Sequence, residues 1–207
     1  MLLIGITGGY GTGKSTLSKL ISSRNHDIID ADKISHDLTE KDNATINSLT
    51  KEFGNEILNS SGSVNRRTLG QIIFNSREKK RKLEAIILPK IRSKIISKVF
   101  LQIIQGKRLI FLDLPTLFES KFWEYLLDEI VVVNCSDSTR LSRILERDRD
   151  LKEEELRKRF AAQMPMSEKV KKSTFVIEND RDLAYLESET LRKQNKMSDL
   201  KNHICSN

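Results

Sequence analysis

Residues 8–15 read Gly8-Gly9-Tyr10-Gly11-Thr12-Gly13-Lys14-Ser15, a full match to the pattern G-x-x-x-x-G-K-[ST]. Ahead of it, Leu2-Leu3-Ile4-Gly5-Ile6 is a short apolar run of the kind that forms a buried strand. Behind it, Leu17, Leu20 and Ile21 share one helical face. Strand, glycine loop and helix in that order make a phosphate cradle. The glycines let backbone N–H groups turn toward one point, and the helix N-terminus adds positive potential there. In such a cradle Lys14 reaches the β- and γ-phosphates of a nucleotide and the Ser15 hydroxyl holds Mg²⁺. A chance glycine-rich turn before Lys-Ser would lack the flanking strand and helix. The loop leaves the phosphate's destination open, because kinases, GTPases and ATP-driven switches all use it.

The chain of 207 residues is long enough for one domain with insertions. Five of its nine glycines precede residue 14 and there are only three prolines, which argues for a helix-rich fold with glycine gathered at one functional turn. No apolar run approaches the ~20 residues that span a bilayer. An opening core strand leaves no room for a signal peptide, and two distant cysteines, Cys135 and Cys205, suit a reducing compartment, so a cytoplasmic protein is expected. The net charge of +7 is local: residues 140–172 hold eleven Lys/Arg against seven Asp/Glu, and residues 192–207 hold four against one. A nucleic-acid binder would more often show a broad basic face interleaved with aromatics, which here are 6% and scattered. The excess in 140–172 instead suits a segment that closes over polyphosphate, and the basic end reads as a solvated tail.

Further strands are expected at His26–Asp30, Arg108–Asp113, Glu129–Asn134 and Thr174–Ile177, with helical patterns between them, which implies βα units and a parallel sheet. About 75 residues separate the second strand from the third. They read as a helical insert carrying substrate specificity, with Ile91, Ile95, Val99 and Ile103 spaced by four after Pro89 at a helix start. From Arg140 to about Lys172, one helix marked by Leu141, Ile144 and Leu145 and a second from Leu151 to Gln163 flank the polar break Arg147-Asp148-Arg149-Asp150. That is the pattern of a phosphate-covering lid, or of a solvated helical hairpin.

Asp30-Ala31-Asp32 follows the second strand, where the C-terminal ends of parallel strands border a ligand crevice. A carboxylate there can take a proton from an attacking hydroxyl, or cap a helix. Asp32 is assigned the first task and Asp30 a structural or metal-side one. Asp113 ends the third strand at a Walker-B-like position that supports Mg²⁺. The sequence Asp113-Leu114-Pro115-Thr116 lacks the glycine of a D-x-x-G switch and no N-K-x-D occurs, so a guanine switch is disfavoured. Arg143 and Arg147 lie one turn apart and can neutralise a transferring phosphoryl group, or pair with Glu146 and Asp148. His26, His36 and His203 have no ligand-like spacing with the cysteines, so no zinc site is expected. Trp123, Phe122 and Tyr125 read as packing residues.

Taken together, LLIGITGGYGTGKST at 2–16, the IDAD element at 29–32, GSVNRRTLG at 62–70, LDLP at 112–115 with Leu117-Phe118-Glu119, Arg147-Asp148, AQMP at 162–165 with Glu168-Lys169, and FVIEN at 175–179 resemble the dephospho-CoA kinase family, in order, from residue 2 to about 180. The resemblance implies an α/β P-loop kinase with a five-stranded parallel sheet flanked by helices, a helical CoA-substrate domain and a helical lid. The corresponding segments are a core at 1–33, 107–139 and 173–191, an insert at about 34–106, a lid at about 140–172 and a polar tail at 192–207. It implies ATP-dependent, Mg²⁺-assisted phosphorylation of the ribose 3′-hydroxyl of dephospho-CoA, the last step of coenzyme A synthesis. Carried over by position, Asp32 matches the base, Arg143 the lid arginine at the active site and Thr7 a threonine near the substrate. Gly11, Thr12, Gly13, Lys14, Ser15 and Thr16 match the ATP-phosphate segment. ATP and dephospho-CoA are the expected partners, with no nucleic acid, membrane or obligatory protein partner. The chain departs from the family pattern at Tyr10, Leu88, Thr116 and Asp180. Two rivals remain from the sequence alone: another small-molecule or nucleoside monophosphate kinase, and a non-enzymatic nucleotide-binding module.

Overall fold

The computed structural model describes residues 1–74, 76–148, 151, 153–161 and 163–204. Arg149, Asp150, Ala162 and Cys205, on which the sequence reading draws, lie outside the described residues. The chain forms two compact units, Met1–Ile29 with Ile103–Asn207, and Asp30–Gln102.

The first unit is built on a five-stranded parallel sheet of β1 (Leu2–Gly8), β2 (Ile28–Asp30), β3 (Leu109–Asp113), β4 (Glu129–Asn134) and β5 (Phe175–Glu178), in the order β2-β3-β1-β4-β5. Registers such as Ile4↔Phe111, Ile6↔Val131 and Val133↔Ile177 fix it. These runs become strands because their branched residues are buried on both faces, as a covered parallel sheet requires. Side chains alternate. Ile4, Ile6, Phe111, Val131, Val133 and Ile177 face α1 (Lys14–Ser22) and α10 (Leu183–Ile204), which add Leu17, Ile21 and Leu186 to one cluster. Each such side chain contributes roughly 1.5–3 kcal/mol by leaving water. On the opposite face Leu117 and Leu127 close directly over Gly5, where a Cβ would meet them at 2.8 and 2.5 Å. β1 is the central strand, with β3 on one side and β4 on the other. The loop at its C-terminal end therefore opens where the chain turns to opposite edges, the usual place for a ligand.

After β3 come a short helix α6 (Leu117–Ser120) and a 3₁₀ turn at Trp123–Tyr125. Trp123 is buried and meets Phe122 edge-on at 4.9 Å, whereas Tyr125 is 89% exposed. Tyr125 is thus not the packing residue its neighbours suggested; the tight turn swings it outward. Among the described residues three helices link β4 and β5: α7 (Asp137–Arg147), α8 (Glu153–Ala161) and α9 (Met166–Lys171). Ser136 caps α7 by accepting from the Thr139 N–H at 3.2 Å. Asp180 accepts from the Ser136 N–H at 2.9 Å and from the Thr139 hydroxyl at 2.7 Å. These bonds, the Ser136 N–H first, hold the Asp180 carboxyl below the usual carboxylate range. Asp180, one of the four departures from the family pattern, therefore anchors the start of α7. α10 carries the basic end of the chain as helix through residue 204.

The second unit is helical. It contains α2 (Ala31–Lys41), α3 (Asn43–Phe53), a 3₁₀ turn at Asn55–Ile57, α4 (Arg66–Phe74) and α5 (Arg77–Ile104), the last running past the unit's end. Asp30 caps α2 through the Lys33 N–H at 3.0 Å, and Asp42 caps α3 through the Thr45 N–H at 2.8 Å. The Asn65 side chain does the same for α4, accepting from the N–H groups of Arg67 and Thr68. Such caps satisfy the donors a helix start leaves open. Ile46, Leu49, Phe53, Ile57, Val64 and Leu69 form the core of this unit, with Leu83 and Ile86 of α5 packed against it.

Pro89 does not start a helix; it lies inside the 28-residue α5. It has no N–H to give to the carbonyl one turn earlier, a defect of about 3 kcal/mol in an isolated helix. Burial of Ile87 and Ile95 on either side of it works against that cost. The stripe with spacing four also fails to stay on one face. Each step of four residues overshoots a turn by about 40°. Ile95 is fully buried, but Ile103, two steps on, is 40% exposed.

Candidate active site

The glycine loop turns out of β1 and enters α1 through Gly13, the residue before the first helical one. Gly11 and Gly13 have φ of 84° and 91°, a left-handed backbone that other residues adopt only at a cost. A Cβ on Gly13 would also strike the Asn179 amide, with Arg143 Nη1 3.9 Å away. Thr12 is buried and its hydroxyl donates to the Gly9 carbonyl at 2.9 Å, while the Asn179 amide donates to the Thr12 carbonyl at 2.8 Å. Thr16 and Leu17 donate to the Gly13 carbonyl at 3.0 and 3.1 Å. The loop is thereby braced from both sides, and the first N–H groups of α1 are presented along the helix axis. This is a ready anion site.

Lys14 is ion-paired with Asp113, at the C-terminal end of β3. Ser18 donates to the other oxygen of Asp113 at 2.7 Å. Asp113 is 4% exposed, so its charge must be paired. Ser15, by contrast, is exposed at the mouth of α1. Among the described residues no cluster of three His, Cys, Asp or Glu can hold a metal. Mg²⁺ does not need one, because it takes one or two protein oxygens and completes its shell with phosphate and water. A hydroxyl and a buried carboxylate are the hard oxygen donors it favours. Thr7 is fully buried on β1, and its hydroxyl donates to the Pro115 carbonyl at 3.3 Å.

Arg143 and Arg147 rise from the same face of α7 but go to different partners. Arg143 Nη2 donates to the Arg181 carbonyl at 3.2 Å. Its Nη1 is buried without a hydrogen-bond partner beside Gly13. Arg147 Nη2 donates to the Tyr10 hydroxyl at 3.2 Å, and its guanidinium lies 5.7 Å from the centre of that ring. Arg159 of α8 stands 5.9 Å from the same ring. The Tyr10 N–H donates to Gln163 at 3.0 Å and the Tyr10 carbonyl accepts from Arg140 Nε at 3.0 Å. The unusual loop tyrosine is thus gripped from α7, α8 and the residues after α8.

Four residues here escaped the sequence reading as site-builders: Arg140, Lys169, Asn179 and Gln163. Arg140 is 4% exposed, pairs with Asp137 at 2.7 Å and lies 3.8 Å over the Phe160 ring. Its three-residue spacing from Asp137 was the available signal. Lys169 is fully buried with its Nζ 2.8 Å from Glu119, an ion pair in charge contact but without hydrogen-bond alignment. Lys169 entered the sequence reading only within the Glu168-Lys169 element of the resemblance, with no signal that its side chain would be buried. Cys135 is buried, and burial pushes its thiol up to about 11, so it is not a nucleophile.

Asp32 belongs to the second unit, in the first turn of α2. Asp30 performs the capping task, accepting from the Lys33 N–H. Asp32 lines a cleft of about 390 Å³ with Asp30, Lys33, His36, Asp37, Glu40 and Arg66. Arg67, adjacent to Arg66, does not line it.

The chain matches the family model for dephospho-CoA kinase (CoaE) over residues 2–185. It is 38% identical over 188 residues to a dephospho-CoA kinase of Listeria monocytogenes, which covers 91% of this chain and 93% of that one. A dephospho-CoA kinase domain-containing protein of Danio rerio is 37% identical over 199 residues, 96% of this chain and 86% of its own length. Among solved structures, a dephospho-CoA kinase from Campylobacter jejuni superposes with a TM-score of 0.73 at 29% identity, covering 96% of this chain and 98% of its own.

Proposed function

The chain belongs to the dephospho-CoA kinase family, and from that premise we propose that it moves the γ-phosphoryl group of ATP onto the ribose 3′-hydroxyl of dephospho-CoA, giving ADP and coenzyme A in the last step of coenzyme A synthesis. A new O–P bond forms as the bond from the γ-phosphorus to the β-γ bridging oxygen breaks, and the hydroxyl proton goes to Asp32. Gly11, Thr12, Gly13, Lys14, Ser15 and Thr16 bind the ATP phosphates. Lys14 spreads the charge of the transferring group, held ready by Asp113 until phosphate arrives. Thr7, at the end of β1, contributes to the acceptor side. Mg²⁺, accompanying ATP, would be held by the Ser15 hydroxyl with Asp113 in support and would supply charge neutralisation at the phosphates. α7 to α9 act as a lid that keeps water from the phosphoryl group. Its place of action is the cytoplasm, and it needs no protein partner.

The observation that carries the reading is Arg143. A buried guanidinium nitrogen without a hydrogen-bond partner, next to the glycine loop at the start of α1, is a standing demand for an anion. A triphosphate meets it. No described helix is long and apolar enough to cross a membrane, and the substrates are water-soluble.

The test is direct. Purified protein, Mg²⁺–ATP and dephospho-CoA are mixed and coenzyme A and ADP are followed by chromatography, with AMP, CMP and UMP as control acceptors. Stoichiometric coenzyme A and ADP from dephospho-CoA alone is the expected result. Transfer to a nucleoside monophosphate, or none, overturns the assignment.

A further inference from the structure

Of the charged residues lining the Asp32 cleft, several already have partners. His36 and Glu40 pair at 3.5 Å, Asp37 pairs with Lys41 at 3.1 Å, and Asp30 is committed to its cap. Lys33 and Arg66 line the same cleft, and among the described residues neither is ion-paired with a carboxylate. Two exposed cations held in no ion pair among the described residues, Lys33 acting only through its charge on Asp37, contribute little to folding. Their arrangement beside Asp32 is better explained by a ligand. The acceptor of the proposed reaction brings a suitable one: the 5′-diphosphate of dephospho-CoA is on the same ribose as the 3′-hydroxyl. A carboxylate flanked by a lysine and an arginine matches a ribose hydroxyl flanked by a diphosphate.

From this, and resting on the proposed reaction, we infer that Arg66, with Lys33, binds the acceptor's diphosphate and so sets acceptor specificity. The planar guanidinium of Arg66 takes two phosphate oxygens at once, and the Lys33 ammonium adds a point charge. Both are carried on capped helix starts, Lys33 in the first turn of α2 and Arg66 at the first residue of α4. Each stem is therefore anchored while the head is left available. Arg66 and Arg67 diverge, as neighbours on a helix must, and only Arg66 enters the cleft. The ATP phosphates are the other source of the same chemistry, and kinetics separates the two.

The experiment measures steady-state coenzyme A formation by the full chain and by Arg66→Ala, Arg66→Lys, Lys33→Ala and Arg67→Ala, varying each substrate in turn. Arg66→Ala raises KM for dephospho-CoA tenfold or more, leaves KM for ATP within twofold, and keeps the wild-type melting temperature, since Arg66 is in no ion pair among the described residues. Arg66→Lys restores part of the loss, Lys33→Ala shows a smaller rise, and Arg67→Ala resembles wild type. Raising salt weakens acceptor binding by wild type more steeply than by Arg66→Ala. The inference is overturned if Arg66→Ala and Lys33→Ala both keep KM for dephospho-CoA within twofold while wild type turns over, or if KM for ATP rises instead. A wild type that makes no coenzyme A sinks the reaction itself, and this assignment with it.

Discussion

His26 shows how one side chain ties the fold to pH. It meets Phe111 edge-on at 5.4 Å, and burial first, then the Lys107 charge, lower its pKa below 6.5. The folded state therefore binds fewer protons than the unfolded state in the window below 6.5. Its contribution is present in full above that value and is lost as pH falls toward the lowered value. Thermal melts between pH 7.5 and 5 should show a shallower decline for His26→Gln than for wild type; equal slopes would remove this role. At this scale the sequence was legible where chemistry is contiguous. Lys14, Ser15 and the glycines around them announce themselves in eight residues. Arg140, Asn179 and Gln163 do not, because their partners Tyr10 and Thr12 lie 130 or more positions away in the chain. Asp30, read from the sequence as the structural or metal-side member of the pair, caps α2 through the Lys33 N–H.

Between elements, the loop after β1 and the helices α7 and α8 are clasped through Tyr10. Removing the ring loses the Arg147 bond and two ring–guanidinium contacts, each worth about 0.5–1 kcal/mol near a surface. The backbone bonds from Gln163 and Arg140 remain. Tyr10→Leu should therefore fold, yet hold α7 and α8 against the loop less firmly, which in the proposed reaction loosens the lid. ATP hydrolysis without acceptor is expected to rise several-fold, with Tyr10→Phe between it and wild type. An unchanged leak of ADP in the absence of dephospho-CoA would show that the clasp does not govern lid closure. Strands were the more legible elements, since short branched apolar runs buried on both faces have few alternatives; β4 falls at the expected Glu129–Asn134. Helix phase was less so. Pro89 reads as a start signal, but its cost is local and small against the burial available along 28 residues of α5.

For the whole molecule, the division of labour follows the two units. In the proposed reaction the first carries the donor machinery, from Gly8 to Thr16 with Asp113 and Arg143. The second carries Asp32 and the cations beside it. The long connection between β2 and β3 announced a separate helical body in the sequence, because no simple crossover is that long. What the sequence withheld was the lining of its cleft, which depends on how α2 and α4 meet. The central claim is that Asp32 takes the proton of the acceptor hydroxyl while the loop holds ATP. Single-turnover kinetics of Asp32→Asn, with ATP affinity measured in parallel, tests it most directly. General-base removal by an isosteric amide costs on the order of 10²–10⁴ in rate, so phosphoryl transfer should fall by that factor while ATP binds as to wild type. Asp32→Asn transferring phosphate at a near-normal rate would show that the base lies elsewhere.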